Sequence, residues 1–283
     1  MNRAFALGII LNTAFVLVEA GYGIYADSLA LIADAGHNLS DVLSLILAWG
    51  ASRLAQSRPT VRRTYGLRRA TNLASLISSL VLLLVMGGIA WEALGRFREP
   101  AMVAGNVMII VAAIGVLING FTAWLFAAGR EHDLNVKAAF QHMAADAAVS
   151  VGVVIGGIAI VMRGWYWVDP IITLVIVAII VVTTWSVFRD SLDLAFDAVP
   201  GAIDPDAVRD YLCGLPGVAT IHDLHIWGMS TTETALTTHL VMPAGSDDAF
   251  LREVSDELCD RFRIAHATIQ IEQGDFEHGC DQE

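Results

Sequence analysis

The chain has 283 residues, 55% of them hydrophobic and only 16% charged, and its mean hydropathy is +0.60. That excludes an ordinary soluble protein and points to a helical protein with several membrane spans. The formal charge of -12 is uneven: residues 1–190 balance at +2 and residues 191–283 at -14, so an acidic, water-facing tail is expected after a membrane part, and neither part is basic enough to favour nucleic acid.

Six apolar segments follow in order, roughly Phe5 to Tyr25, Leu29 to Leu54, Leu73 to Leu94, Met102 to Ala127, Val136 to Met162 and Val168 to Phe188. Each meets the ~20 residues needed to cross ~30 Å of hydrocarbon. The first begins almost at Met1 and is long enough to span, so a cleaved signal peptide is not expected. An even number of spans puts both termini on one side. The link between the second and third spans carries Arg53, Arg58, Arg62, Arg63, Arg68 and Arg69, and that between the fourth and fifth carries Arg130 and Lys137. The opposite links offer only Arg96, Arg98 and Arg163, so the positive-inside rule makes both termini cytoplasmic.

Polar residues interrupt four of the six spans: Asn12 and Glu19 in the first, Asp34, His37, Asn38 and Asp41 in the second, Asn119 in the fourth, His142 and Asp146 in the fifth. The third and sixth carry no comparable cluster, which suggests an inner group of four spans around a polar path. Gly152, Gly156 and Gly157 would let the fifth span approach its neighbours closely.

His37 and Asp41, and again His142 and Asp146, stand four apart, a spacing that stacks two side chains on one helical face. Two such helices facing each other present two imidazoles and two carboxylates to one point, the donor set of a tetrahedral zinc-type site. The bland alternative, buried hydrogen bonds between helices, leaves four ionisable groups at bilayer depth without a ligand, which is costly. Asp34 reads as a support for a ligating imidazole or as a helix-packing residue rather than as a ligand. Glu19 is open between a proton carrier, an interhelical partner and an interfacial residue.

Residues 1–190 therefore read as a six-helix transmembrane domain, 191–203 as a linker and 204–283 as an acidic cytoplasmic domain. Asp204-Pro205-Asp206 opens a helix to about Cys213. Val218 to Trp227 and Thr232 to Met242 alternate as strands, Asp247 to Phe262 is amphipathic, and Ala267 to Glu272 is a last strand. The order α-β-β-α-β gives an α+β, ferredoxin-like unit with one small sheet. Cys213, Cys259 and Cys280 are an odd set without paired spacing, which fits a reducing compartment.

The segments Ser28 to Asp41, Asn135 to Asp146 and His222-Asp-Leu-His-Ile-Trp227 together resemble the cation diffusion facilitators, above all the bacterial zinc and cadmium exporters and the vesicular zinc transporters, over about Phe5 to Glu272. The resemblance implies a homodimer in a membrane, here a bacterial inner membrane, that exports divalent metal from the cytoplasm against protons. His37, Asp41, His142 and Asp146 match the family's transport ligands. Members with Asp-x-x-x-Asp in place of His-x-x-x-Asp tend to handle manganese, so two histidines favour Zn²⁺, with Cd²⁺, Co²⁺ or Ni²⁺ as further cargoes. His222, His239, His266 and Glu272 match metal-binding positions of relatives' cytoplasmic domains, so the resemblance makes 204–283 a cytoplasmic metal-binding and dimerisation domain with Zn²⁺ as a regulatory ligand. His278 and Cys280 stand where some members have a tail cysteine pair. Arg69 resembles a basic residue that pairs with an acidic one, with Asp197 as the candidate partner and a free surface charge as the alternative.

The chain also departs from the family. The link Arg62 to Thr71 lacks the Asp and His that hold a further metal in some members, so none is expected there. Thr71 replaces a usual glutamate, and the histidine-rich link between the fourth and fifth spans is reduced to His132. A membrane metal sensor would use the tail site without conduction. An intramembrane metalloenzyme would need a general base beside the metal, and no His-Glu-x-x-His occurs. No enzymatic activity is therefore expected.

Overall fold

The computed structural model describes residues 3–127 and 134–274. The expectations for Arg130, His132, His278 and Cys280, and for the side chain of Asn12, fall outside the described residues. Six long helices come first: α1 (Arg3–Tyr25), α2 (Leu29–Ala55), α3 (Ala70–Gly95), α4 (Gly105–Ala127), α5 (Leu134–Arg163) and α6 (Val168–Ala195). The shortest have 23 residues, about 35 Å at ~1.5 Å per residue, and α2 to α6 are long and apolar enough to cross a membrane. Helix α6 continues past Asp190 to Ala195, so the first residues of the expected linker are helical.

The chain divides into two compact units, Met1–Ile46 with Ser78–Ser186 and Leu47–Ile77 with Val187–Glu283. The first is built on Phe15, Leu31, Met86, Met108, Val111, Val153 and Ile176, all buried together. Glycines set its helix spacing. A Cβ on Gly157 would lie 2.7 Å from Ile109 Cγ1 and 3.2 Å from the Gly105 carbonyl oxygen, so α4 and α5 meet backbone to backbone. On Gly156 it would meet Ile172 of α6. Gly152, expected to do the same, faces open space and plays no such part.

The start of α2, the helix that carries His37 and Asp41, is fixed by a residue distant in sequence. Asp169, at the head of α6 and fully buried, accepts hydrogen bonds from Ser28 Oγ (2.6 Å) and from the backbone N–H groups of Leu29 (3.0 Å) and Ala30 (3.3 Å). A helix's first N–H groups lack intrahelical partners, and a carboxylate there also complements the helix dipole. Arg96, at the end of α3, adds bonds to the carbonyl oxygen (2.5 Å) and carboxylate (2.6 Å) of Asp27 in the same turn.

The second unit contains α7 (Pro205–Cys213), β1 (Thr220–Gly228), β2 (Thr234–Val241), α8 (Asp248–Phe262) and β3 (Ile264–Glu272). The order α-β-β-α-β and a three-stranded sheet β1-β2-β3 are as expected, β2 pairing antiparallel with β1 and parallel with β3. Asp204 caps α7 and Asp247 caps α8 through their carboxylates, as acidic N-cap residues do. Strand β3 starts at Ile264, three residues earlier than the alternation suggests, because Arg263 takes a left-handed conformation (φ 59°) at the end of α8 and turns the chain straight into the sheet. Val208, Leu212, Leu236, Leu240, Leu258 and Ile264 form the core between helices and sheet. In this unit the α2–α3 link is tied to the tail: Arg68 pairs with Glu233 at 2.8 Å, Arg69 with Asp197 as expected, and Thr71 Oγ1 accepts the N–H of Thr231.

Candidate metal centres

Helices α2 and α5 each carry a histidine and an aspartate one turn apart, and all four side chains converge. His37 Nε2 lies 3.7 Å from Asp41 Oδ2 and 3.9 Å from Asp146 Oδ1. His142 Nε2 lies 3.1 Å from Asp41 Oδ2 and 3.6 Å from Asp146 Oδ2. The rings stand edge to face with centroids 5.8 Å apart, and one ligand atom each from His37, His142 and Asp146 lies within 4.8 Å of the others. Asp146 is 5% exposed and His142 44%, so the group is buried at Asp146 and half open at His142. Among the described residues, His37 Nδ1 and Asp146 Oδ2 are buried without a hydrogen-bond partner. Unmet buried polar atoms are costly, and a cation among two carboxylates and two imidazoles removes that cost.

Of the two roles expected of Asp34, its contacts match helix packing. Its oxygen Oδ2 accepts from Ser150 Oγ of α5 at 3.3 Å, while His37 Nδ1 has no hydrogen-bond partner among the described residues, so Asp34 does not orient that ring.

A second group lies in the small sheet. His222 and His239 are directly opposite on β1 and β2, their ring centroids 4.8 Å apart, and Glu272 at the end of β3 reaches both. Its Oε2 meets His222 Nε2 at 3.0 Å and its Oε1 meets His239 Nδ1 at 2.7 Å, while Gln270 Nε2 donates to Oε1 at 3.0 Å. The hydrogen bond to His222, then that to His239, holds the Glu272 carboxyl below its ordinary pKa. His266 does not join the group. It pairs with Ala235, four positions along β2 from His239, about 13 Å at ~3.3 Å per residue, and its exposed ring stands edge-on to Tyr65.

Sequence alternation missed Asp223. The ladder between β1 and β2 shifts register between His222 and His225, and Asp223 takes φ 56° there. The bulge turns its carboxylate to His225 Nε2 (3.4 Å) and His239 Nε2 (4.0 Å), a placement that strict period-two reading cannot produce. Asp169 was missed too: a lone aspartate beside Pro170 reads as a helix start, not as a cap for another helix.

A family model described as the cation efflux transmembrane domain matches residues 5–194, and one described as the cation efflux protein cytoplasmic domain matches residues 200–274. The chain belongs to the cation efflux family. Its relatives include the zinc transporter ZitB of Escherichia coli, 35% identical over 95% of this chain and 86% of that protein. The cadmium, cobalt and zinc/H(+)-K(+) antiporter of Bacillus subtilis is 32% identical over 98% and 91%. Among solved structures, the metal-bound C-terminal domain of the CzcD transporter from Cupriavidus metallidurans is 36% identical, covers 25% of this chain and 99% of its own, and has a TM-score of 0.23.

Proposed function

We propose that this cation efflux protein carries divalent transition metal, Zn²⁺ first, out of the cytoplasm in exchange for protons, with His37, Asp41, His142 and Asp146 as the transport ligands. The observation that carries this reading is the convergence of four ligating side chains from two membrane helices around buried, unpartnered atoms. Ligands must be deprotonated to hold metal, so zinc and protons compete for them, and histidine's ordinary pKa near ~6.5 makes that competition sensitive at physiological pH. Zinc enters from the cytoplasmic side, displaces protons, and is carried outward as the inner helices rearrange. The names of the Bacillus relatives support cadmium and cobalt as further cargoes and protons as counter-ions.

His222, His239 and Glu272 form the cytoplasmic metal site of the same reading, in a domain that dimerises and reports metal abundance. Its -14 balance favours cation binding by relieving self-repulsion. Residues 1–190 and 204–283 are then the membrane and cytoplasmic domains, both termini cytoplasmic, in a bacterial inner membrane.

The test is the full chain in proteoliposomes with an entrapped zinc dye and an imposed pH gradient. Gradient-driven zinc flux that disappears in Asp41→Ala supports the reading. Absence of flux, or undiminished flux in that variant, defeats it and would favour a sensor.

A further inference from the structure

One turn of α2 before Asn38 and one turn of α5 after Asp146 lies a second buried polar group that the metal chemistry does not use. Glu19 of α1 is 0% exposed, Asp34 of α2 2%, Asn38 1% and Ser150 of α5 0%. The Glu19 and Asp34 carboxyls are within hydrogen-bonding reach of each other. Ser150 donates to Asp34; the Asn38 amide lies beside Glu19 and can donate to it, but among the described residues neither oxygen of Glu19 nor either amide atom of Asn38 makes a hydrogen bond of good geometry. Asp146, from α5, faces the pair electrostatically and adds a third negative charge. Helix α4, packed against α1, carries no titratable residue. No imidazole or basic side chain takes part.

Two ionised carboxylates in contact repel strongly at low dielectric, and a shared proton turns two facing acceptors into one O–H···O bond. We propose that Glu19 and Asp34 form a proton-binding station, distinct from the four-ligand metal site, whose proton is among those exchanged for metal. The inference rests on the transport reading above. The coupling follows from charge. The negative charge of Asp146 favours a proton on the pair, a divalent metal at Asp146 cancels it, and metal loading therefore releases the proton without sharing a ligand with it.

Glu19→Gln keeps the side chain's size and burial but cannot take up or release a proton. The full-length variant in proteoliposomes is read in two assays: zinc accumulation driven by a pH gradient, and zinc–cadmium counterflow without a gradient, which needs no net proton movement. Cobalt absorption checks the four-ligand site. Accumulation is expected to fall about tenfold or more while counterflow stays within about twofold of the parent. Asp34→Asn should behave alike, and Glu19→Asp should restore accumulation in part. Parallel loss of both assays and of cobalt binding in Glu19→Gln and Asp34→Asn would overturn the station, because the carboxyls would then belong to the metal site or the packing. Unchanged accumulation would overturn it equally. Failure of the parent protein to accumulate zinc at all would instead sink the transport reading.

Discussion

The two candidate metal centres use the same residue types in opposite ways. In the sheet, both oxygens of Glu272 are already hydrogen-bonded to histidines at 3.0 and 2.7 Å, so the trio satisfies itself before any ion arrives. In the helices, the histidine-to-aspartate distances run from 3.1 to 3.9 Å, and buried atoms of His37 and Asp146 have no partner. A satisfied buried network fixes its own geometry, whereas an unsatisfied one is stable only with something in it. The membrane group therefore depends on an ion or protons for its stability, which suits a site that must load and empty. The sheet group can persist with or without metal, which suits a detector.

The largest expected effect breaks the membrane side of this contrast. Asp146 is 5% exposed and touches both histidines. Replacing it with Asn keeps the volume and removes the charge, and zinc flux should fall by about two orders of magnitude or more, since even residues that merely support a metal ligand are worth ~10–100-fold. Flux through Asp146→Asn within a few-fold of the parent would show that the four-residue group is not the transport site.

Next in size is a packing change that touches no ligand. At Gly157, valine would drive its side chain into Ile109 and the Gly105 backbone, and overpacking of that kind costs about 1–3 kcal/mol. Helix α5 holds His142 and Asp146 in place, so Gly157→Val should weaken zinc binding in the membrane group while the sheet group keeps its affinity. Gly152→Val, facing open space, is the control that should do neither. Equal losses in both variants would mean that bulk in α5, not its contact with α4, is what matters.

How much of this was legible in the sequence follows from the range of the signal involved. Helix existence and the two His-x-x-x-Asp pairs are local, so six long helices and the convergence of four side chains could be read from spacing and apolar length. The α-β-β-α-β order was equally local, marked by Asp204-Pro205, the turn glycines and alternation. What escaped was set by tertiary contact or by irregular backbone. Asp169 caps a helix 140 positions away, and Asp223 depends on a bulge. His266 lies apart from the trio for the related reason that strand register decides which residues are neighbours: it is four pairs from His239, and no pattern within β3 reports that offset.

The sheet side is sharpened by Glu272→Gln. The amide offers one acceptor in place of two charged oxygens, so metal affinity at the cytoplasmic group is expected to fall about tenfold, with transport through the membrane group retained in part. The same carboxyl sets a pH dependence. Its folded pKa lies below the ordinary value because His222 and His239 bond to it, so its stabilising contribution is present above the unfolded carboxylate's pKa and is lost as pH falls through the depressed folded one. Thermal melts of the full chain from neutral toward acid pH should show that loss in the parent and a flatter dependence in Glu272→Gln. Identical pH profiles would place the acid sensitivity elsewhere.

The smallest effect separates tethering from chemistry. Arg68 and Glu233 join the α2–α3 link to the β1–β2 turn at 2.8 Å, yet both are about 40% exposed. An exposed pair of this kind contributes only about 0–1 kcal/mol, because water and salt screen it and two long side chains must be held still. Arg68→Gln should therefore shift melting slightly, lose even that shift at high salt, and leave metal affinity at both centres unchanged. A large fall in zinc flux from so weak a contact would mean that the pair matters to the conformational change itself, since a stability change of that size cannot by itself empty either site.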